Sequence, residues 1–196
     1  MPYNGGMSEK SFTSLSGQLL VAMPGLTDSN FVRGVTLLCQ HNDEGAVGLV
    51  INKAADFTFD KVLDQLDLDS DLAQVDRVPV LIGGPLQPER GFIVHPADDG
   101  QWESSHRIDG HWAITTSRDI LAAMAAGEGP RHALLALGYA GWGAGQLEQE
   151  LAENSWLTVS ATSQILFDTE VDERWQAATR LMGFDSHQLS PHIGHA

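Results

Sequence analysis

Residues 133–157 read ALLALGYAGWGAGQLEQELAENSWL, and this stretch decides the fold. Ala133 to Tyr139 is an apolar run of strand length, broken by Gly141, Gly143 and Gly145. Gln146 to Glu153 then reads as a short helix, Asn154-Ser155 ends it, and Trp156 to Val159 is a second strand. A strand, a glycine-rich turn and a helix follow one another in the order of a dinucleotide-binding turn, but the spacing does not fit. Counted from Gly143, the fingerprint needs glycine where Glu148 stands, and counted from Gly141 it needs glycine where Gln146 stands. A glutamate in the first helical turn also competes with a phosphate for the positive end of the helix dipole. The glycines therefore read as a tight turn beside Trp142, and the carboxylates at 148 and 150 as support for the helix start.

Working outward, the chain alternates irregularly between strands and helices. Gly17 to Met23 is a buried strand closed by Pro24, and Val35 to His41 is another, with Val35, Leu37, Cys39 and His41 expected on one face. Asn42 to Gly45 is a turn, and Ala46 to Ile51 completes an antiparallel hairpin. Phe59, Val62, Leu63 and Leu66 recur at helical spacing after a capping Thr58. Val78 to Ile82 reads as a strand ending in Gly83-Gly84-Pro85, and Gly91 to His95 as a second strand reached through Gln87-Pro88-Glu89-Arg90, the two making a hairpin-like pair. Ala97 to Asp109 is a loop or edge strand, a helix capped by Ser117 runs to Gly127, and Asp172 to Met182 is a last helix stopped by Gly183. The pattern predicts an α+β fold on a mixed sheet rather than a doubly wound one. One domain is expected over residues 17–184, with a flexible segment at 1–16 and a frayed tail at 185–196.

Composition bounds the function. The chain has 196 residues, 42% of them hydrophobic, enough for a proper core. Its single cysteine, Cys39, excludes an internal disulfide and reads as a buried thiol. Apolar runs are far shorter than the roughly 20 residues of a membrane helix, and the polar N-terminus has no signal-peptide core; a cytoplasmic protein is predicted, with no membrane contact. Eleven Lys and Arg against 26 Asp and Glu give a formal charge of −15, with no two basic residues adjacent. Binding a phosphate backbone needs clustered cations, so direct nucleic-acid binding is disfavoured. The acids at Asp67, Asp69, Asp71 and Asp76 lack the glycine and glutamate of a calcium loop and read as a solvated segment.

The chemical candidates are few. His41 and His95 each end an apolar strand, and if those strands were neighbours the pair would suit a metal or acid–base chemistry; otherwise each bonds to backbone. Neither has a third ligand at short spacing, so no metal and no cofactor is expected. Gln146, Glu150 and Asn154 share helical spacing, which reads as a wet surface, with a cleft-facing patch as the alternative. No Gly-x-Ser-x-Gly elbow, His-Glu-x-x-His helix or Walker loop occurs.

Several separate motifs stand in order along the chain: GQLLVAMP at 17–24 with Asp28, Phe31 and Arg33 after it, LLCQHNDEGAVGLVIN at 37–52, and Gly83-Gly84-Pro85. Gly91 to His95, GYAGWGAGQLEQELAENSWL at 138–157, and Leu166-Phe167-Asp168 with Arg174-Trp175 complete the set, which resembles the YqgE/AlgH family. Two positions depart from the usual pattern, Ala54 in place of proline and Leu86 in place of valine. The resemblance implies a bent or split, largely antiparallel sheet flanked by helices. It carries over no activity, although some members bear the label of transcriptional regulators of alginate production. The motifs add Asn52, Gly83, Gly84, Pro85 and Trp142 to the candidate surface. Three functions compete: a regulatory or interaction protein binding a protein partner or small ligand, a regulator acting on DNA directly, and an enzyme using His41, His95 or Glu150.

Overall fold

The computed structural model describes residues 11–184 except Gln74, Asp76 and Arg77; the tail expected to fray at 185–196 lies outside the described residues. β1 (Gln18–Ala22) pairs antiparallel with β2 (Val35–Asn42), which turns into β3 (Gly45–Val50) as the hairpin expected from the sequence. β4 (Ala54–Thr58) leads into α1 (Phe59–Gln65), and β5 (Pro79–Ile82) returns antiparallel to β4. β6 (Leu86–Pro96), the edge strand β7 (Ser105–Arg107) and β8 (Trp112–Thr115) precede α2 (Arg118–Ala126). β9 (Leu134–Gly143), α3 (Gln146–Ala152) and β10 (Trp156–Ser160) follow. A π-helical turn (Gln164–Asp168) and a 3-10 turn (Val171–Glu173) then lead into α4 (Arg174–Leu181).

The ten strands form one curled sheet in the order β10-β1-β2-β3-β9-β6-β8-β7, with β5 on β9 and β4 on β5. All pairs are antiparallel except β5 with β9. The fold is thus the mixed, largely antiparallel α+β sheet that the sequence predicts. Its inner face holds one core, with Leu19, Leu37, Leu49, Phe92, Leu134 and Ala136 packed against Trp175 and Ala178 of α4. The outer face is covered in two places. α3 closes Leu20, Leu38, Ala140, Trp142 and Trp156 over one half, and α1 with α2 close Val80, Ile93 and Leu135 over the other.

β9 is the spine that joins the halves. Its first half lies between β5 and β6, where Leu135 faces both Val80 and Ile93, and its second half pairs with β3. The hairpin expected between the strands at 78–82 and 91–95 therefore does not form, because β9 lies between them. Gly83-Gly84-Pro85 instead carries the chain across β9 at its bend. The crossing is a contact of bare backbones: a Cβ on Gly84 would lie 2.2 Å from the Tyr139 carbonyl carbon, and one on Gly138 would lie 2.5 Å from the Gly84 oxygen. Gly138 also has φ of 75°, the left-handed region open to glycine at little cost. It resets the alternation, so that Leu134, Ala136 and Tyr139 face the inner core while Leu135, Leu137, Ala140 and Trp142 face outward.

A bulge between Leu38 and Gln40 does the same in β2. Val35, Leu37 and Cys39 face the inner core, but His41 emerges on the outer side with Leu38, and the single face expected for all four is corrected to two. β9 also runs on through Gly141-Trp142-Gly143, so those glycines extend a strand instead of forming a turn.

Candidate functional site

The residues singled out in the sequence fall into three places. At the α3 end, His41 is buried with its Nε2 2.6 Å from Glu148 Oε1, while its Nδ1 accepts the Leu15 backbone N–H at 3.0 Å. A backbone N–H can only donate, so Nε2 carries the proton and donates to the carboxylate. Ser14 Oγ donates to the His41 carbonyl and the Phe12 ring meets the imidazole edge-on at 4.7 Å. Residues 12–15 of the N-terminal segment are thus seated on His41. Burial pushes the Glu148 carboxyl up, but hydrogen bonds from His41 and its own backbone, with the electrostatic attraction of the imidazole, outweigh this and hold it below the usual glutamate range.

Glu150, one turn along α3 from Gln146, is a structural acceptor. Its Oε2 receives the indole N–H of Trp142 at 2.9 Å and of Trp156 at 2.8 Å, and its Oε1 receives Gln146 Nε2 at 3.0 Å. Gln146 Oε1 in turn accepts the Gly143 N–H. Phe31 packs on both indoles, which meet each other edge-to-face at 6.1 Å. Asn154, with φ of 57°, ends α3 in the left-handed region. The polar face of this helix is therefore largely engaged with the fold.

Asn52 clamps the loop before β2: its Oδ1 accepts the Val35 N–H and its Nδ2 donates to the Arg33 carbonyl, both at 2.8 Å. Gly83 and Gly84 are buried at the β9 crossing and Pro85 is exposed beside it. Cys39 keeps some accessible surface as a residue, but its thiol packs toward the inner core and donates to the Leu37 carbonyl, and burial pushes it up to about 12.

His95 stands apart from His41. It adjoins Val94, which pairs with Leu134 at the start of β9, whereas His41 pairs with Ala46 and Ala46 with Trp142 near its end. The two histidines lie on opposite sides of the Gly138 bend and do not converge. Buried His95 donates from Nδ1 to the Pro96 carbonyl at 2.8 Å, leaving Nε2 to accept the Thr115 hydroxyl at 2.8 Å. Thr115 Oγ1 is 2.6 Å from Ser105 Oγ. Among the described residues, no group of three or more His, Cys, Asp or Glu side chains is placed to hold a metal.

The concavity that best suits a ligand was not legible in the sequence. A cavity of about 440 Å³ opens between α1 and α2. Ile93, Leu135 and Leu137 form its floor, Val62 and Leu66 one wall, and Leu121 the other. Phe57 reaches its mouth 39% exposed. Gln65, Glu89, Ser117 and Arg118 supply polar groups at the edge, the mix of an apolar body with few polar anchors that ligand sites show. Arg118 Nη2 donates to the Leu66 carbonyl at 2.6 Å and fixes the spacing of the two helices. The signal for this groove lay in α1. Phe59 and Leu63 suffice for the core and are buried, while Val62 and Leu66 keep exposed surface. An apolar stripe wider than the core needs is the mark of a second contact.

Comparison with known proteins agrees with this architecture. The family described as AlgH-like matches residues 19–187. A UPF0301 protein of Xanthomonas campestris is 50% identical over 185 residues, covering 94% of this chain and 97% of that protein. One from Thioalkalivibrio sulfidiphilus is 51% identical, covering 94% and 98%. The solution structure of the AlgH protein from Pseudomonas aeruginosa superposes with a TM-score of 0.76 at 43% identity, over 97% of this chain and all 100% of that one. A Corynebacterium diphtheriae protein shares the fold at a TM-score of 0.68 and 20% identity, over 86% and 87% of the two chains. The motifs, the spine strand and these relatives together place the chain in the AlgH-like family.

Proposed function

We propose that this protein acts by binding, taking an apolar segment of a protein partner or a small apolar ligand into the groove between α1 and α2, within the cytoplasm. The observation that carries the reading is the groove itself: a largely apolar floor and walls, with Thr115 beside Ile93 on the floor, Phe57 part-exposed at the mouth and few polar groups in all. The groups that would otherwise suggest acid–base chemistry at the α3 end support it from the other side. His41 and Glu150 already have hydrogen-bond partners on both ring nitrogens or both carboxylate oxygens. Direct action on DNA has little to work with, since the chain carries a formal charge of −15 and α3 presents glutamates.

The neutral dye Nile red tests the reading. Its fluorescence is expected to rise on the folded protein, to be lost in Leu121→Glu, and to persist in Leu72→Glu. Leu72 lines a separate cavity of about 450 Å³ with Val75, Met124 and Pro130. No rise, or an equal rise in both variants, contradicts a ligand-accepting groove at this place.

A further inference from the structure

The hydrogen-bond chain at His95 has a direction, and the direction is that of a general base. The Pro96 carbonyl can only accept, so His95 Nδ1 holds a proton and Nε2 offers a lone pair. Thr115 must then donate to Nε2 and accept from Ser105, which makes the order of donors Ser105, Thr115, His95. The sheet builds this geometry. Ser105 lies directly opposite Thr115 on β7 and β8, while His95 lies opposite Ala113, two residues along, within diagonal reach. The inner end is fixed, with His95 1% and Thr115 0% exposed, whereas Ser105 lies on the exposed edge strand. Ser105 also lines a cavity of about 270 Å³ with Gly100, Gln101, Trp102 and Arg107. Trp102 lines the same cavity, and its buried Nε1–H has no hydrogen-bond acceptor among the described residues.

We propose that Ser105 is a nucleophile toward small ester-type acyl groups, activated by His95 through the hydroxyl of Thr115. Ser105 Oγ bonds to the ester carbonyl carbon as its proton passes to Thr115 and the Thr115 proton passes to His95 Nε2. The C–O bond to the leaving alcohol then breaks, and the alcohol takes a proton back along the same path. Water reverses the sequence, releasing the carboxylic acid and restoring Ser105. Imidazolium is accommodated at each stage because both ring nitrogens then donate, to Pro96 and to Thr115. The small cavity restricts the substrate to a short acyl group. Ser105 and His95 line this smaller cavity, while Thr115 stands between it and the α1–α2 groove, which it also lines; the nucleophile thus opens on a cavity other than the groove.

A cross-strand serine–threonine pair can also simply stabilise a sheet, so the test reads reactivity. A fluorophosphonate probe on the full folded chain is expected to give one adduct, mapped by mass spectrometry to Ser105 and absent in Ser105→Ala. Thr115→Val removes the relay hydroxyl at nearly constant shape and is expected to slow labelling about 10²-fold or more, with Thr115→Ser restoring it. Labelling of the unaltered protein is expected to be slower in D2O, which keeps the test open should Thr115→Val not fold. No adduct, an adduct elsewhere, equal rates in H2O and D2O, or unchanged labelling in a folded Thr115→Val overturns the proposal.

Discussion

Glu150 shows how a residue that looks like surface charge can be structural. Three donors converge on its carboxylate, two of them indole N–H groups of largely buried tryptophans. Glu150→Ala leaves both without an acceptor and is expected to cost about 3 kcal/mol in urea unfolding. Gln146→Ala, which frees only exposed groups, is expected to cost under about 1 kcal/mol. Glu148 makes a pH prediction. Its folded-state value is depressed, so its contribution is fully present above the range in which an unfolded glutamate titrates and is lost as pH falls through the lower folded value. Glu148→Gln is therefore expected to flatten the acid limb of stability against pH and to leave its neutral and alkaline course unchanged. Cys39, protonated and held against the inner core, is expected to react with a thiol reagent only at the rate of unfolding, far slower than the denatured chain.

At the scale of elements, the Gly138 bend decides whether β9 can serve both halves of the sheet. Gly138→Ala adds a Cβ 2.5 Å from the Gly84 oxygen at a left-handed φ, and a loss of about 3 kcal/mol or more is expected in thermal or urea melts. Nearly every strand was legible in the sequence because each carries an apolar, β-branched run bounded by glycine, proline or a polar turn. β4 was not, since Ala54–Thr58 has no buried residue and shows no alternation. The β5–β9–β6 order was not legible either. A three-residue connection usually joins neighbours, and only the backbone contacts of Gly83, Gly84 and Gly138 permit a crossing there. The bulge at Cys39 likewise hid the meeting of His41 with Glu148, because unbroken alternation places His41 on the wrong face. Most of the candidate residues make contacts that hold the sheet together: Asn52 at its loop, the glycines at its crossing, Trp142, Gln146 and Glu150 at α3. Motif residues whose roles are geometric look the same in sequence as residues that bind.

Taken as a whole molecule, the sheet has one inner core and two outer covers, and the covers differ. α3 seals its half with Leu147 and two tryptophans, while α1 and α2 leave apolar surface open between them. The formal charge of −15 opposes self-association through that exposed surface, and a partner of the kind proposed for the groove is expected to present basic groups beside its apolar segment. Arg118 holds the groove to its width, so Arg118→Ala is expected to weaken apolar ligand binding with little change in melting temperature. In the proposed function that groove is where the protein binds. The most direct measurement is an amide NMR titration of the labelled protein with a panel of small apolar fragments. Shifts that saturate and cluster on Val62, Leu66, Ile93, Leu121, Leu135 and Leu137 are predicted. Saturable shifts confined to the α3 end, or no saturable shifts at all, would contradict it.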